Sequence, residues 1–350
     1  MNPYEEVIPQ LDVFRRIFGL TGEAVYNDFI MAGGRRGLTC LLYYAVVIAS
    51  IVLQGARGRR LFRAHFERTG PDLVLSVMPL INRAVADTVP EGVPFLVLMT
   101  DWQEMSRHSW FPRGRDYYAL CGTPEGLAQL EDGRRGRRVI PLSGLPIRRE
   151  FLEAEAPDEA APAPAFDADR PTLCFLYGGG GSRRMLALGD ALAASGFEGQ
   201  AEFLCGHDAS LEAELRARSW PFPTRVLGFT RAVHTHLRRA DVFVGKPGPA
   251  CVTEALASGA HLLLDASEAM PQERCILRSI RAAGRGRSFR SAQSFLKALD
   301  QLLEAPAPRT RREDSGGGNR AILELPGILE QILAGDQIRP EPKAQSPAVK

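Results

Sequence analysis

Short apolar runs alternate with glycine- and proline-broken polar turns, and the spacing of apolar residues switches between strand and helix periods in a regular order. Residues 73–77, 95–99, 117–121 and 138–142 read as buried strands bounded by turn residues. Helices are predicted at 82–87 and 125–130, and an amphipathic helix, LFRAHFERTG, precedes the first strand and ends at Gly70. The second half repeats the pattern, with strands predicted at 173–177, 201–204, 224–227, 241–244 and 261–264 and helices at 232–239 and 251–257. Strands and helices of this length in alternation predict an α/β protein whose parallel sheets are covered on both faces.

The pattern breaks at residues 150–171, EFLEAEAPDEAAPAPAFDADRP, where alanine, proline and acids follow no period. Such a stretch builds no core and reads as a linker between two lobes, 1–149 and 172–305. A second linker and a last helix, AILELPGILEQIL, occupy 306–338, and the charged, proline-rich residues 339–350 read as a disordered tail. One apolar run stands apart, residues 37–53, with Arg35 and Arg36 before it and Arg57, Arg59 and Arg60 after it. Three readings fit its length: a helix seated on a membrane surface, a core helix, or a span at the lower limit of bilayer thickness.

Composition narrows the classes. The 350 residues are 45% hydrophobic, enough for two lobes with separate cores, and a net charge of +2 gives no case for nucleic acid. Cys40, Cys121, Cys174, Cys205, Cys251 and Cys275 form no CxxC pair and read as reduced, structural thiols in a cytoplasmic protein. His234 and His236 lie two apart, which points them to different faces of a helix, so no metal site is expected. The opening MNPYEEVIPQ lacks the apolar core of a secretory signal.

Candidate chemistry centres on DVFVGKPGPACVTEALASGAHLLLD, residues 241–265. It reads as strand, tight turn over 245–250, helix with Thr253 and Glu254 in its first turn, then strand. A helix start behind such a turn aims backbone N–H groups and the positive dipole end at one spot, which suits a phosphate. Gly248 permits close backbone approach, Pro247 and Pro249 stiffen the loop, and Lys246 is one of only four lysines in an arginine-rich chain. Glu254 beside a diphosphate would repel it and fits sugar hydroxyls better; an ordinary helix start is the competing reading. Residues 178–181, four glycines between a predicted strand and Ser182 as helix N-cap, give a weaker phosphate-loop signal, with a mobile unliganded loop as the alternative.

Taken together, these stretches resemble the GT-B glycosyltransferases, and within them the diacylglycerol glycosyltransferases of the monogalactosyldiacylglycerol synthase type, relatives of the peptidoglycan N-acetylglucosaminyltransferase. The resemblance runs in family order through NPYEEVIPQLDVFRRIFGLTGEAVYN, PDLVLSV, LMTDWQEMSRHSWF, YYALCGT, SGLPIRREF, FLYGGGGS, FLCGH, RVLGFT, GKPGPACVTEALASG and MPQER. It implies two Rossmann-like doubly wound lobes, of which the first lacks its opening strand and glycine loop. Backbone groups of Gly228 and Phe229 would hold uracil, Glu254 the ribose hydroxyls, and Gly248, Pro249, Ala250 and Thr253 the diphosphate, with Lys246 beside it. Gln272 and Glu273 would bind the donor sugar, and Gly179 and Gly180 would face the diphosphate from across the cleft.

The implied reaction moves a hexose from a UDP-sugar to a lipid, diacylglycerol or a relative, at the cytoplasmic face of a bacterial inner membrane, with peripheral membrane contact and no cofactor or metal. The family's GGGH loop, whose histidine lies beside the acceptor, has no counterpart between Met1 and Gln10. A start assigned too far downstream or a lost loop accounts for this, and Asp101 and His108 are the nearest substitutes for the base; a hydrogen-bonded loop histidine is the other reading of His108. Cys275 and Ile276 stand where the family commonly has asparagine, and Ala260 and His261 where it favours Gly-Pro. Two rival classes stay open: an idle relative that still binds a sugar nucleotide or a partner, and a GT-B enzyme with a non-lipid acceptor.

Overall fold

The computed structural model describes residues 55–104, 109–131, 137–152, 166–304 and 318–335, with residues 6, 7, 9, 15, 19 and 45 before them. The apolar run at 37–53 and His108 lie outside the described residues, Ala45 excepted. The chain divides into two compact units, the boundary between them falling after Pro146, with residues from Arg320 onward belonging to the first unit.

In the first unit, α1 (Gly55–Thr69) precedes β1 (Val74–Ser76), α2 (Asn82–Ala86), β2 (Phe95–Leu98), β3 (Tyr117–Cys121), α3 (Pro124–Glu131) and β4 (Arg137–Pro141). The strands form a parallel sheet in the order β1-β2-β3-β4. Successive side chains of a strand point to opposite faces, and here both faces are dry. Phe95, Val97 and Met99 pack with Phe62 and Phe66 of α1 and with Trp110 and Phe111. Leu96 and Leu98 pack on the other side against Ala321, Leu325 and Ile332. Those three belong to a later helix, Ala321–Leu333, which covers this face of the first sheet. α1 begins six residues before the predicted amphipathic run: the two glycines of GARGRR hide its period, yet buried Gly58, Phe62 and Phe66 form one stripe at intervals of four.

The second unit contains β5 (Thr172–Leu176), α4 (Arg184–Ala194), β6 (Gln200–Leu204), α5 (Ala209–Arg216), β7 (Thr224–Leu227), α6 (Val233–Arg239) and β8 (Val242–Gly245). It continues through α7 (Pro249–Ala257), β9 (His261–Asp265), α8 (Arg274–Ala282), β10 (Gly286–Phe289) and α9 (Ala292–Glu304), after which α10 is the helix Ala321–Leu333 of the first unit. All six strands are parallel in the order β10-β9-β8-β5-β6-β7. Phe175 of β5 stacks on Phe203 of β6 with ring centres 4.6 Å apart, and Met185, Leu192, Phe295 and Leu299 of α4 and α9 close this face. The edge strand β10 is not expected from the sequence. Arg287 and Ser288 are exposed and only Phe289 is buried, so an edge strand with one apolar anchor reads as a polar turn.

The order of this sheet positions the site. From β5 the chain builds outward through β6 and β7, then returns to lay β8 on the other side of β5 and continues to β9 and β10. Strand order therefore reverses between β5 and β8, and the crevice outside the carboxyl ends of such a pair is where open α/β sheets take ligands. Both glycine-containing turns of interest, at 178–181 and 246–248, leave from these two ends.

Candidate nucleotide site of the second unit

The turn after β8 is tighter than the sequence implies. Gly245 is the last strand residue, and a Cβ there would lie 2.1 Å from the Leu176 carbonyl oxygen of β5. The turn closes with the Gly248 N–H donating to the Lys246 carbonyl at 2.8 Å, and Pro249 occupies the first helical position, where its fixed φ fits and its missing N–H costs nothing. The helix thus starts two residues earlier than predicted. Ala250 and Cys251 supply the first-turn N–H donors, whereas Thr253 and Glu254 fall in the second turn. Thr253 Oγ1 donates back to the Pro249 carbonyl at 2.8 Å, so its hydroxyl proton is committed to the helix. The Cys251 thiol is pushed up to about 11, by burial first and by the Glu254 carboxylate second, so it is not a nucleophile at neutral pH.

Lys246 bridges the two turns. A Cβ at Gly178 would lie 3.8 Å from its Cε, and one at Gly248 would lie 3.5 Å from the same carbon and 3.8 Å from Glu273 Oε1. Glu273, almost fully buried, holds the ammonium at 3.4 Å with Oε1 and accepts the Met270 N–H at 2.9 Å with Oε2. The short 3-10 turn Pro271–Glu273 that carries it follows β9. Gln272 Nε2 sits 3.8 Å from Met270 Sδ. The loop at 178–181 lies beside Lys246 within the same unit rather than facing it across a cleft, because β5 and β8 are neighbours. It is a defined turn: Gly181 N–H donates to the Gly178 carbonyl at 3.2 Å, and His207 N–H donates to the Gly179 carbonyl at 2.8 Å. Cβ atoms at Gly179 and Gly180 would meet nothing within 4 Å, so these two face open space. Ser182 Oγ accepts the Arg184 N–H at 3.3 Å, although the helix cap itself is Arg183.

Glu254 is gripped by a residue outside the expected set. Arg148 donates through Nε to Oε1 at 2.9 Å and through Nη2 to Oε2 at 3.2 Å, a two-pronged ion pair. The guanidinium also lies 5.1 Å from the Phe151 ring centre and reaches the Arg231 carbonyl at 3.5 Å. Arg148 sits in SGLPIRREF, a stretch that carries part of the family resemblance but to which the sequence assigns no site role, and a pairing 106 positions away has no local signal.

At the ends of β6 and β7 a further surface forms. Phe229 is 57% exposed and its ring stacks on His207 with centres 4.2 Å apart and planes 16° from parallel. Gly228 precedes it against Glu212, whose carboxylate oxygen would lie 2.4 Å from a Cβ at that position. Aromatic surface left open beside a turn is suited to stacking a planar ring.

Asp101 belongs to the first unit, after β2. Its Oδ2 accepts the Trp110 indole N–H at 3.0 Å; burial raises its carboxyl above the usual range and the indole bond opposes this only in part. The neighbouring Glu104 is a structural residue, its Oε1 accepting the N–H groups of Trp110 and Phe111 at 2.9 and 2.8 Å. Among the described residues no cluster of histidine, cysteine and carboxylate side chains has a metal-holding arrangement.

No family model matches the chain. It is similar to the processive diacylglycerol beta-glucosyltransferase of Bacillus licheniformis, 26% identical over 204 residues that cover 55% of this chain and 51% of that protein. It is also similar to the enzyme of the same name from Staphylococcus saprophyticus, 21% identical over 267 residues, 75% of this chain and 67% of that one. The chain thus spans about half the length of the Bacillus relative it matches. Among solved structures it superposes on the glycosyltransferase SnogD of Streptomyces nogalater with a TM-score of 0.53 and 18% identity, covering 83% of this chain and 80% of that one. MurG of Acinetobacter baumannii gives 0.51 at 13% identity over 79% and 78%. A UDP-N-acetylglucosamine 2-epimerase from Listeria monocytogenes gives 0.52 at 12% over 83% of each chain. The fold is GT-B, as the sequence resemblance implies, and its sequence relatives are diacylglycerol glycosyltransferases.

Proposed function

We propose that the protein is a glycosyltransferase that takes a hexose from a UDP-sugar and places it on a lipid hydroxyl, diacylglycerol or a close relative. The observation that carries the reading is the convergence, at the strand-order reversal of the second sheet, of Lys246, Gly248 and the first turn of α7 with Glu254 one helical turn further on. An ammonium and two helix-start N–H groups match a diphosphate, and a buried carboxylate beyond them matches a ribose diol. The stacked pair Phe229 and His207 fits a pyrimidine whose edge meets backbone groups of Gly228 and Phe229.

In the proposed reaction the acceptor oxygen forms a bond to the anomeric carbon as the bond from that carbon to the UDP oxygen breaks. Negative charge develops on the departing diphosphate, where Lys246 and the α7 dipole lower its energy. Gln272 and Glu273 follow the family in contacting the sugar; Glu273 also holds Lys246, so its carboxylate orients the cation as well. The acceptor proton must pass to a base, and Asp101 in the first unit is the described candidate because burial makes its carboxylate more basic than usual. The similarity to diacylglycerol enzymes supports a lipid acceptor, and a peripheral seat on the cytoplasmic face of a membrane is part of the same proposal. No cofactor enters this scheme.

The test is incubation of the full chain with radiolabelled UDP-glucose or UDP-galactose and diacylglycerol vesicles, with Glu254→Ala as control. Label in the organic phase, lost in the control, is the expected result. Label that stays in water, either unchanged or moved to an epimeric sugar nucleotide, contradicts the transferase reading; the second outcome is worth resolving because the fold also serves an epimerase.

A further inference from the structure

The stretch from Arg274 to Leu299 holds six arginines and Lys297 and not one acid, in a chain whose formal charge is only +2, so the remaining residues are net −5. The excess is laid out on a surface. α8 buries Cys275, Ile276 and Ile280, and on the opposite side Arg274, Arg278 and Arg281 are exposed at the i, i+4, i+7 spacing that lines side chains along one helix face. That stripe is about 10 Å long. α8 packs along β10, the outermost strand of the sheet, where Arg287 is exposed as well. Elsewhere in the second unit arginines are committed: Arg148, Arg183, Arg184, Arg216, Arg218 and Arg225 each pair with a carboxylate. Arg274, Arg278, Arg281 and Arg287 have no carboxylate partner among the described residues.

Guanidinium groups strung along a convex helix surface diverge, so they do not close on one phosphate as the turn between β8 and α7 can. They suit a target that is itself an extended array of negative charge. The stretch offers no open aromatic ring for stacking bases, because Phe289 and Phe295 are both buried. We propose that this face, carried by α8 and β10, docks on anionic phospholipid headgroups. The inference extends the lipid-acceptor reading and rests on it for its purpose: the face would hold the second unit at the surface from which the acceptor comes. An arginine near an anionic bilayer is worth about fivefold in partitioning, so a contact of this size is reversible and adds to an apolar seat rather than replacing one.

The experiment is co-sedimentation of the full chain with vesicles of phosphatidylcholine alone, and of phosphatidylcholine and phosphatidylglycerol in equal parts, at low and at high salt. It compares the wild type with a chain carrying Arg278→Gln, Arg281→Gln and Arg287→Gln, and with one carrying lysine at the same three positions, each with a melting curve and a UDP titration. Wild-type protein is expected to bind the phosphatidylglycerol vesicles at least about tenfold more tightly than the neutral ones and to leave them at high salt. The glutamine chain is expected to lose at least about tenfold of that binding with its melting temperature and UDP binding kept, and the lysine chain to stay within about threefold of wild type. Vesicle binding by the glutamine chain equal to wild type overturns the inference. So does equal loss in the lysine chain, since headgroup attraction needs the charge and not the fork, and so does equal wild-type binding to neutral vesicles. A DNA duplex that strips the wild type from the vesicles, and is itself lost by the glutamine chain, overturns it and gives the face to nucleic acid. Wild-type protein that takes up the anionic vesicles but neither binds UDP nor transfers label sinks the transferase reading alone.

Discussion

Glu202 shows how a charged side chain survives in the interior of the second unit. It is fully buried on β6, and its two oxygens are taken by Arg225 of β7 at 2.9 Å and His236 of α6 at 3.1 Å. Burial pushes its carboxyl up, but the His236 hydrogen bond and charge, with Arg225, outweigh that and hold it below the usual carboxylate range. A carboxyl depressed in the folded state contributes stability that is present above its unfolded value and is lost as pH falls through the folded one. Wild-type stability is therefore expected to drop below about pH 4.3, the ordinary glutamate value, and the drop should be smaller in Glu202→Gln. At pH 7 that variant is expected to lose about 3 kcal/mol in urea unfolding, because it takes away the carboxylate that the Arg225 guanidinium faces in a dry site. Lys246 is likewise held by a buried carboxylate, that of Glu273; Lys246→Met should lower the melting temperature, because it takes the cation away from that carboxylate, and weaken UDP binding at least about tenfold.

Among elements, the turn between β8 and α7 separates a tightly packed glycine from a roomy one. Gly245 has no room for a methyl group because the Leu176 carbonyl stands 2.1 Å from its Cβ position. Gly248 has ordinary van der Waals space, and its φ of −72° suits any residue. Gly245→Ala is expected to cost about 3 kcal/mol in a denaturant titration, and Gly248→Ala less than about 0.5. Calorimetry on Gly248→Ala should nevertheless show weaker UDP binding, since the added methyl points toward Lys246 and Glu273. Comparable destabilisation of the two variants would contradict this division.

The same turn shows what the sequence makes legible. β8, α7 and β9 are visible because buried strands of this kind are continuous apolar runs and GKPGP is a strong break. The helix start is misjudged by two residues because Pro249 looks like part of the turn when it is the first helical residue. Gly178, Lys246, Gly248 and Glu273 come together only through strand order, with β5 laid beside β8, and no local pattern encodes that neighbour relation. Arg148 escapes for the same reason. Phe229 is read for its backbone, while its stacking on His207 depends on β6 and β7 being adjacent.

For the molecule as a whole, two parallel sheets each carry their own helices and cores, and the residues of the proposed nucleotide site gather at one end of the second unit's sheet. Among the described residues no helix is long and apolar enough to cross a membrane. The proposed lipid acceptor implies contact with a membrane surface. Flotation with anionic vesicles should carry the intact chain upward and leave a chain lacking residues 37–53 at the bottom; equal behaviour of the two counts against a membrane seat for that run.

The most direct measurement is titration of the intact chain with UDP in a calorimeter, alongside Glu254→Ala. Saturable one-to-one binding by the wild type, weakened at least about tenfold by the substitution, is the expected result. Absence of UDP binding, or binding that the loss of Glu254 leaves untouched, would contradict the account.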